Sequence, residues 1–170
     1  MKNILLMVLT SFLFLSCNNN VNVDTSEWSG ITNQSDEKSK IVEKLAKGYT
    51  DGDFGIARDY FTPDGEHKVN NDVYTVEELI NGYNFHSVLY DEMKHIDPVI
   101  TTVKYNNGEV YTNHWSDWSG KSKITGELQK NTFHCWWQWE GDKIVATQCY
   151  FDTSEIEAEA MLYQEQNSQE

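Results

Sequence analysis

The sequence predicts an α+β domain in which helices come first and an antiparallel sheet follows. Three observations carry that expectation. Apolar residues recur with helical period from about residue 36 to residue 96, and the period changes to two after Pro98. A length of 170 residues, with 39% hydrophobic and 13% aromatic content, is enough for one globular core. Runs of helices followed by runs of strands pack as helices against one face of a sheet.

The elements follow in chain order. Met1 to Cys17 reads as a targeting segment: Lys2, then an almost unbroken apolar run from Ile4 to Leu15, then Ser16 and Cys17. That run is too short to span a bilayer as a helix and has the size of a signal-peptide core. Phe14-Leu15-Ser16-Cys17 resembles the lipobox of bacterial lipoproteins, with Phe14 where Leu is usual. The resemblance implies a signal peptide over 1–16 and diacylglycerol on Cys17, which would anchor the chain to a membrane of the cell envelope, in the periplasm or at the outer membrane. Residues 17–35 are polar, rich in Asn, Ser and Thr and without periodicity, as a flexible tether should be, with Trp28 the exception.

From Ser35 the helical signals begin. Ser35-Asp36-Glu37 offers an N-cap and early acids, followed by Ile41, Val42, Leu45, Ala46 and Tyr49 on one helical face. Asp51-Gly52-Asp53 breaks that helix, and a short second one carries Phe54, Ile56, Ala57, Tyr60 and Phe61 until Thr62-Pro63-Asp64-Gly65. An extended piece spans His67 to Tyr74. Thr75 and Glu78 make a capping box for a third helix, expected to run through Leu79, Ile80, Tyr83, Phe85, Leu89 and Met93 and to end at Ile96-Asp97-Pro98.

The strands come next. Val99–Tyr105 and Glu109–Trp118 flank the turn Asn106-Asn107-Gly108, and Leu128–Trp139 and Lys143–Asp152 flank Glu140-Gly141-Asp142. The domain is thus expected over 36–152, and 153–170 reads as an acidic, largely solvated tail with at most a frayed helix through Ile156, Ala160 and Tyr163.

Tyr49–Asp64, the helix after it, and Glu140–Val145 leading into Tyr150-Phe151-Asp152 together resemble the SnoaL-like, or nuclear transport factor 2-like (NTF2-like), superfamily over about residues 36–152. The resemblance implies a cone, with three helices folded into a strongly bent, mainly antiparallel sheet and an apolar pocket open at one end. Members include isomerases, cyclases, dehydratases and non-enzymatic binding modules, so the fold alone does not assign an activity. Polyketide cyclases of the superfamily carry a base Asp in the final strand. The corresponding stretch here is Thr147-Gln148-Cys149, which has no carboxylate, and Asp152 reads as a strand-end residue.

Two functional readings follow. One is a non-catalytic, lipid-anchored domain that binds a small apolar ligand or a protein partner. The other is an enzyme of the SnoaL type, moving a proton on a cyclic apolar substrate, with His114 and His134 as candidate catalytic groups. Alternation groups His114 with Ser116 and Trp118, His134 with Trp136, and Phe133 with Cys135, Trp137 and Trp139, but it does not say which face points inward. Tyr60, Trp118, Trp136, Trp137 and Tyr150 are the pocket candidates. Self-association through the exposed sheet face is compatible with either reading.

Other chemistries lack a signature. The five histidines, at 67, 86, 95, 114 and 134, have no metal-ligand spacing, and no glycine-rich phosphate loop supports a nucleotide cofactor. Thirteen Lys+Arg against 27 Asp+Glu give a net charge of −14, and cleavage before Cys17 removes Lys2 and no acid, leaving −15. Such a chain repels nucleic acid. A three-residue turn at 140–142 would set Cys135 opposite Thr147 and diagonal to Cys149, with Cα atoms roughly 7 Å apart, at the limit for a disulfide.

Overall fold

The computed structural model describes residues 24–168; the expected signal peptide, Cys17 and the first tether residues lie outside the described residues. One seven-stranded, curved and unclosed sheet in the order β1-β4-β5-β6-β7-β2-β3 holds the helices against its inner face. The strands are β1 (Gly30–Asn33), β2 (Phe61–Val69), β3 (Asp72–Tyr74), β4 (Tyr90–Tyr105), β5 (Val110–Ser122), β6 (Leu128–Glu140) and β7 (Lys143–Tyr150). All pairings are antiparallel except β2 with β7, which is parallel.

Helix α1 (Glu37–Thr50) starts where the Asp36 side chain accepts from the Lys38 N–H, and it buries Val42 and Leu45 completely. Burial of each such side chain contributes about 1.5–3 kcal/mol relative to exposure. A 3-10 helix (Phe54–Asp59) follows, adding Phe54 and Ala57 to the same core. Helix α2 (Val76–Leu89) begins with the expected Thr75/Glu78 capping box. A buried polar chain links Ser39 of α1 through Thr102 and Thr112 to the indole N–H of Trp139, with steps of 2.9, 2.8 and 3.0 Å. Its members satisfy one another, so α1 is fixed on β4, β5 and β6 without an orphaned hydroxyl.

Four expectations need correction. The third helix stops at Leu89, and residues 90–98 belong to the 16-residue strand β4. Register irregularities between Asp91 and Lys94 and between Ile96 and Val99, with Glu92 and Asp97 at positive φ, break the period of two. Leu89, Met93 and Ile96 consequently fall at spacings of four and three, which mimic a helix. Thr62-Pro63-Asp64-Gly65 does not end an element but lies within β2, at the irregularity between Phe61 and Glu66 where Pro63 has no ladder bond to lose.

The segment read as tether contains β1, which pairs with the edge of β4, and Trp28 meets Tyr105 edge to face at 5.4 Å. Four residues exposed on both faces leave no alternation to read. Finally, the acidic tail forms helix α3 (Ser154–Asn167). Its stripe of Ile156, Ala160 and Tyr163 packs on a second cluster containing Leu89, Tyr90 and Trp118. Glu159 lies in that stripe and is 2% exposed, an acid at an inward position, which disguised the amphipathic pattern.

Candidate functional site

Between the inner face of the sheet and the helices lies a cavity of about 80 Å³. Its floor is built by β5, β6 and β7. His114 of β5 stands directly opposite Cys135 of β6, and Cys135 opposite Cys149 of β7, so the three form one row across the inner face. Cys135 and Cys149 are joined by a disulfide, with Cα atoms 4.1 Å apart. The diagonal placement expected from a three-residue turn is thus corrected. Trp139 already pairs with Ile144 around a two-residue turn at Gly141-Asp142, and an irregularity beyond it advances β7 by one further residue.

Aromatic side chains close the walls. Trp118 and Trp137, both among the expected pocket residues, line the cavity together with Phe54, Tyr83 and Phe133. Trp118 takes its position because Gly120, two residues on and on the same face, carries no side chain: a Cβ there would sit 2.7 Å from the indole ring. Tyr60, Trp136 and Tyr150 lie elsewhere. Lys44 Nζ donates to the Tyr60 hydroxyl outside the cavity, Trp136 packs on Tyr111, and Tyr150 is half exposed.

The two candidate histidines are separated by the sheet. His114 lines the cavity, is 2% exposed, and its Nε2 has no hydrogen-bond partner. His134 is on the outer face, stacked on Trp115 at 4.7 Å, with Nε2 donating to Asn113 Oδ1 at 3.1 Å. The two do not pair, because His134 is the register partner of the outward Trp115, whereas His114 is the partner of Cys135 on the inner face.

His86 and His95, not singled out by the sequence, complete the site. His95, from the part of β4 that reads as helix, meets His114 edge to face at 5.0 Å and stacks on Tyr49 at 5.5 Å. Tyr49 Oη and His86 Nδ1 are 3.0 Å apart. Burial disfavours the charged form of each ring. It pushes the His86 and His95 pKa down to about 4 and, with the neighbouring His95 and His134 adding to it, the His114 pKa down to about 3. The hydroxyls of Tyr49 and Tyr83 are raised above the ordinary tyrosine range by the same burial. All five groups are therefore neutral near pH 7.

Among the described residues no Asp or Glu lines the cavity. In the stretch Thr147-Gln148-Cys149, Thr147 contacts the buried His67, with Oγ1 and Nδ1 3.0 Å apart, and Cys149 is held in the disulfide. Asp152 is exposed and accepts from the Ser154 N–H. Among the described residues no group of three His, Cys, Asp or Glu is placed to hold a metal ion, and no helix is long and apolar enough to cross a membrane.

No family model and no curated protein matches this chain. Solved structures do. IdmH of Streptomyces antibioticus, a candidate polyketide cyclase, is 17% identical, with 74% of this chain and 99% of that one covered at a TM-score of 0.54. A candidate polyketide cyclase of Xanthomonas campestris is 14% identical over 71% of this chain and 94% of its own, at 0.55. An NTF2-like protein of unknown function from Burkholderia pseudomallei is 14% identical over 69% and 92%, at 0.54. Likeness at this level of identity shows a shared fold.

Proposed function

We propose that this SnoaL-like/NTF2-like domain is a non-catalytic binding module that takes a small apolar ligand in its cone and is held at a membrane of the cell envelope through a lipid on Cys17. One observation carries the binding reading: the cavity is walled by aromatic rings, a disulfide and three neutral imidazoles, with no carboxylate among them. A proton-transfer group works best with a pKa near the operating pH. Imidazoles at about 3 to 4 are weak bases, and the cysteines are consumed in their bridge.

The cavity's size narrows the ligand class. An apolar cavity of about 150 Å³ holds a benzene. About 80 Å³ accommodates the end of a chain or part of a ring, with the rest of the molecule outside it. Titration with toluene and with cyclohexanone, read by NMR shifts of the Trp118 and Trp137 indoles, tests this. Saturable shifts support the reading, and their absence for both probes contradicts it. Anchoring has its own test: mass spectrometry of the exported protein should find diacylglycerol on Cys17, and a Cys17→Ser chain released from the membrane fraction is the expected counterpart.

The enzymatic reading retains one favourable observation, the partnerless Nε2 of His114 beside the cavity. Turnover of a cyclic ketone that is abolished in His114→Ala, with the fold intact, would replace the binding reading. The outer sheet face, where Trp115 and Tyr150 are 43% and 50% exposed, supports self-association, and a sedimentation experiment giving only monomer would remove that part of the proposal.

A further inference from the structure

We propose that helix α3 is the movable wall of the cavity and that Glu159 is its latch; the inference rests on the binding reading and concerns how the ligand enters. The cavity is about half the size that holds a benzene, so a ring seats fully only if a wall yields. The sheet floor is tied by its ladder and by the Cys135–Cys149 bridge, and α1 and the 3-10 helix belong to the main core. Helix α3 is different. It supplies Ile156 to the cavity wall but belongs only to the smaller cluster.

What keeps α3 closed is unusual in kind. Glu159 accepts from the Ser122 hydroxyl at 2.6 Å and from the Gln129 amide at 3.4 Å. Those donors are preset. The Ser122 oxygen itself accepts from the Ile124 and Thr125 N–H groups, which directs its proton to Glu159. The Gln129 carbonyl accepts from the Tyr90 hydroxyl at 2.6 Å, which turns its amide towards the same carboxylate. Among the described residues no cation takes part in the contact. A buried carboxylate held by neutral donors regains hydration when the helix lifts, and this offsets the hydrogen bonds it loses. An apolar side chain large enough to fill the site at 159 would have no such compensation, whereas Ala leaves the site unfilled and removes the latch. The latch therefore specifies the closed position while leaving opening inexpensive, as a gate requires.

The intact chain and its Glu159→Ala variant test the gate with two probes and one exchange measurement. Xenon, small enough for the closed cavity, reports on the cavity itself, and toluene on entry. Amide exchange reports on α3. The expected result is that xenon binds both proteins alike, while Glu159→Ala raises toluene association and dissociation rates and the exchange of the α3 amides by about tenfold, with β5 and β6 unchanged. If xenon binds and the toluene rates do not change, the gate is wrong and the binding reading stands. If xenon binds neither protein, the binding reading falls, and α3 amides that exchange only together with the sheet then overturn the latch as well.

Discussion

His114 and His134 lie on neighbouring strands and on opposite faces of one sheet, the first 2% exposed against the cavity and the second stacked on Trp115 outside it. Substitutions at the two sites should therefore separate. His134→Ala should leave probe affinity within about twofold and stability within about 1 kcal/mol, as for a surface change. His114→Ala should cost about 1–3 kcal/mol by enlarging the cavity and should alter probe affinity. Urea unfolding and NMR titration of both variants check this; equal effects on binding would mean that the cavity is not the site.

The histidines also fix a pH dependence. His67, His86 and His95 have folded-state pKa values near 4 and His114 near 3, all below the ordinary value of 6.5. Above 6.5 the rings are neutral in both states. As pH falls from 6.5 towards 4 the unfolded chain takes up protons that the folded one refuses, so folding stability declines across that window. The melting temperature should fall steadily between pH 7 and pH 4, and NMR should show the His114 ring neutral throughout. A His114 that titrates near 6.5 would contradict its burial.

Removal of the bridge should be costly. The disulfide closes a loop of 14 residues in sequence separation, for which denatured-chain entropy suggests about 3 kcal/mol. The Cys135→Ala/Cys149→Ala chain should lose about that much in urea unfolding, and added reductant should lower the stability of the unaltered protein alone. No difference between the two under oxidising conditions would show that the bridge does not form.

The close approach at Gly120 gives a local test. Gly120→Ala must push the Trp118 indole out of the cavity wall, since no room exists for the added methyl. A loss of about 1–3 kcal/mol and a changed Trp118 indole resonance are expected. A neutral result would mean that Trp118 does not rest against that backbone.

How far the sequence could be read depended on how regular each element is. Thr75 and Glu78, the 3.6 spacing of Val42, Leu45 and Tyr49, and the alternation of β5 and β6 are local signals with a fixed geometry, and the architecture followed from them. Residues 90–98 lost that regularity at two bulges, and with them went His95. Ile156 and Glu159 were hidden because an acid among acids looks solvated, and only the donors Ser122 and Gln129, 37 and 30 residues from Glu159, make the inward position tenable. Cys135 and Cys149 depended on a one-residue shift beyond the turn, which has no mark in Gly141-Asp142 itself. Alternation paired His114 with Trp118 correctly, but which face was inward depended on where α1 and α2 pack.

If the cavity between α1 and the sheet is the binding site, Ala46, which lines it, is the place to fill it. Ala46→Leu adds a side chain of nearly the cavity's volume on a residue type that favours helix. At roughly 24 cal/mol per Å³, filling about 80 Å³ should stabilise the fold by up to about 2 kcal/mol. Toluene titration of Ala46→Leu beside the unaltered chain is therefore the most direct measurement. The variant should be as stable as or more stable than the parent, with its toluene response lost; a variant that folds and binds toluene with unchanged affinity would show that the ligand does not occupy this cavity.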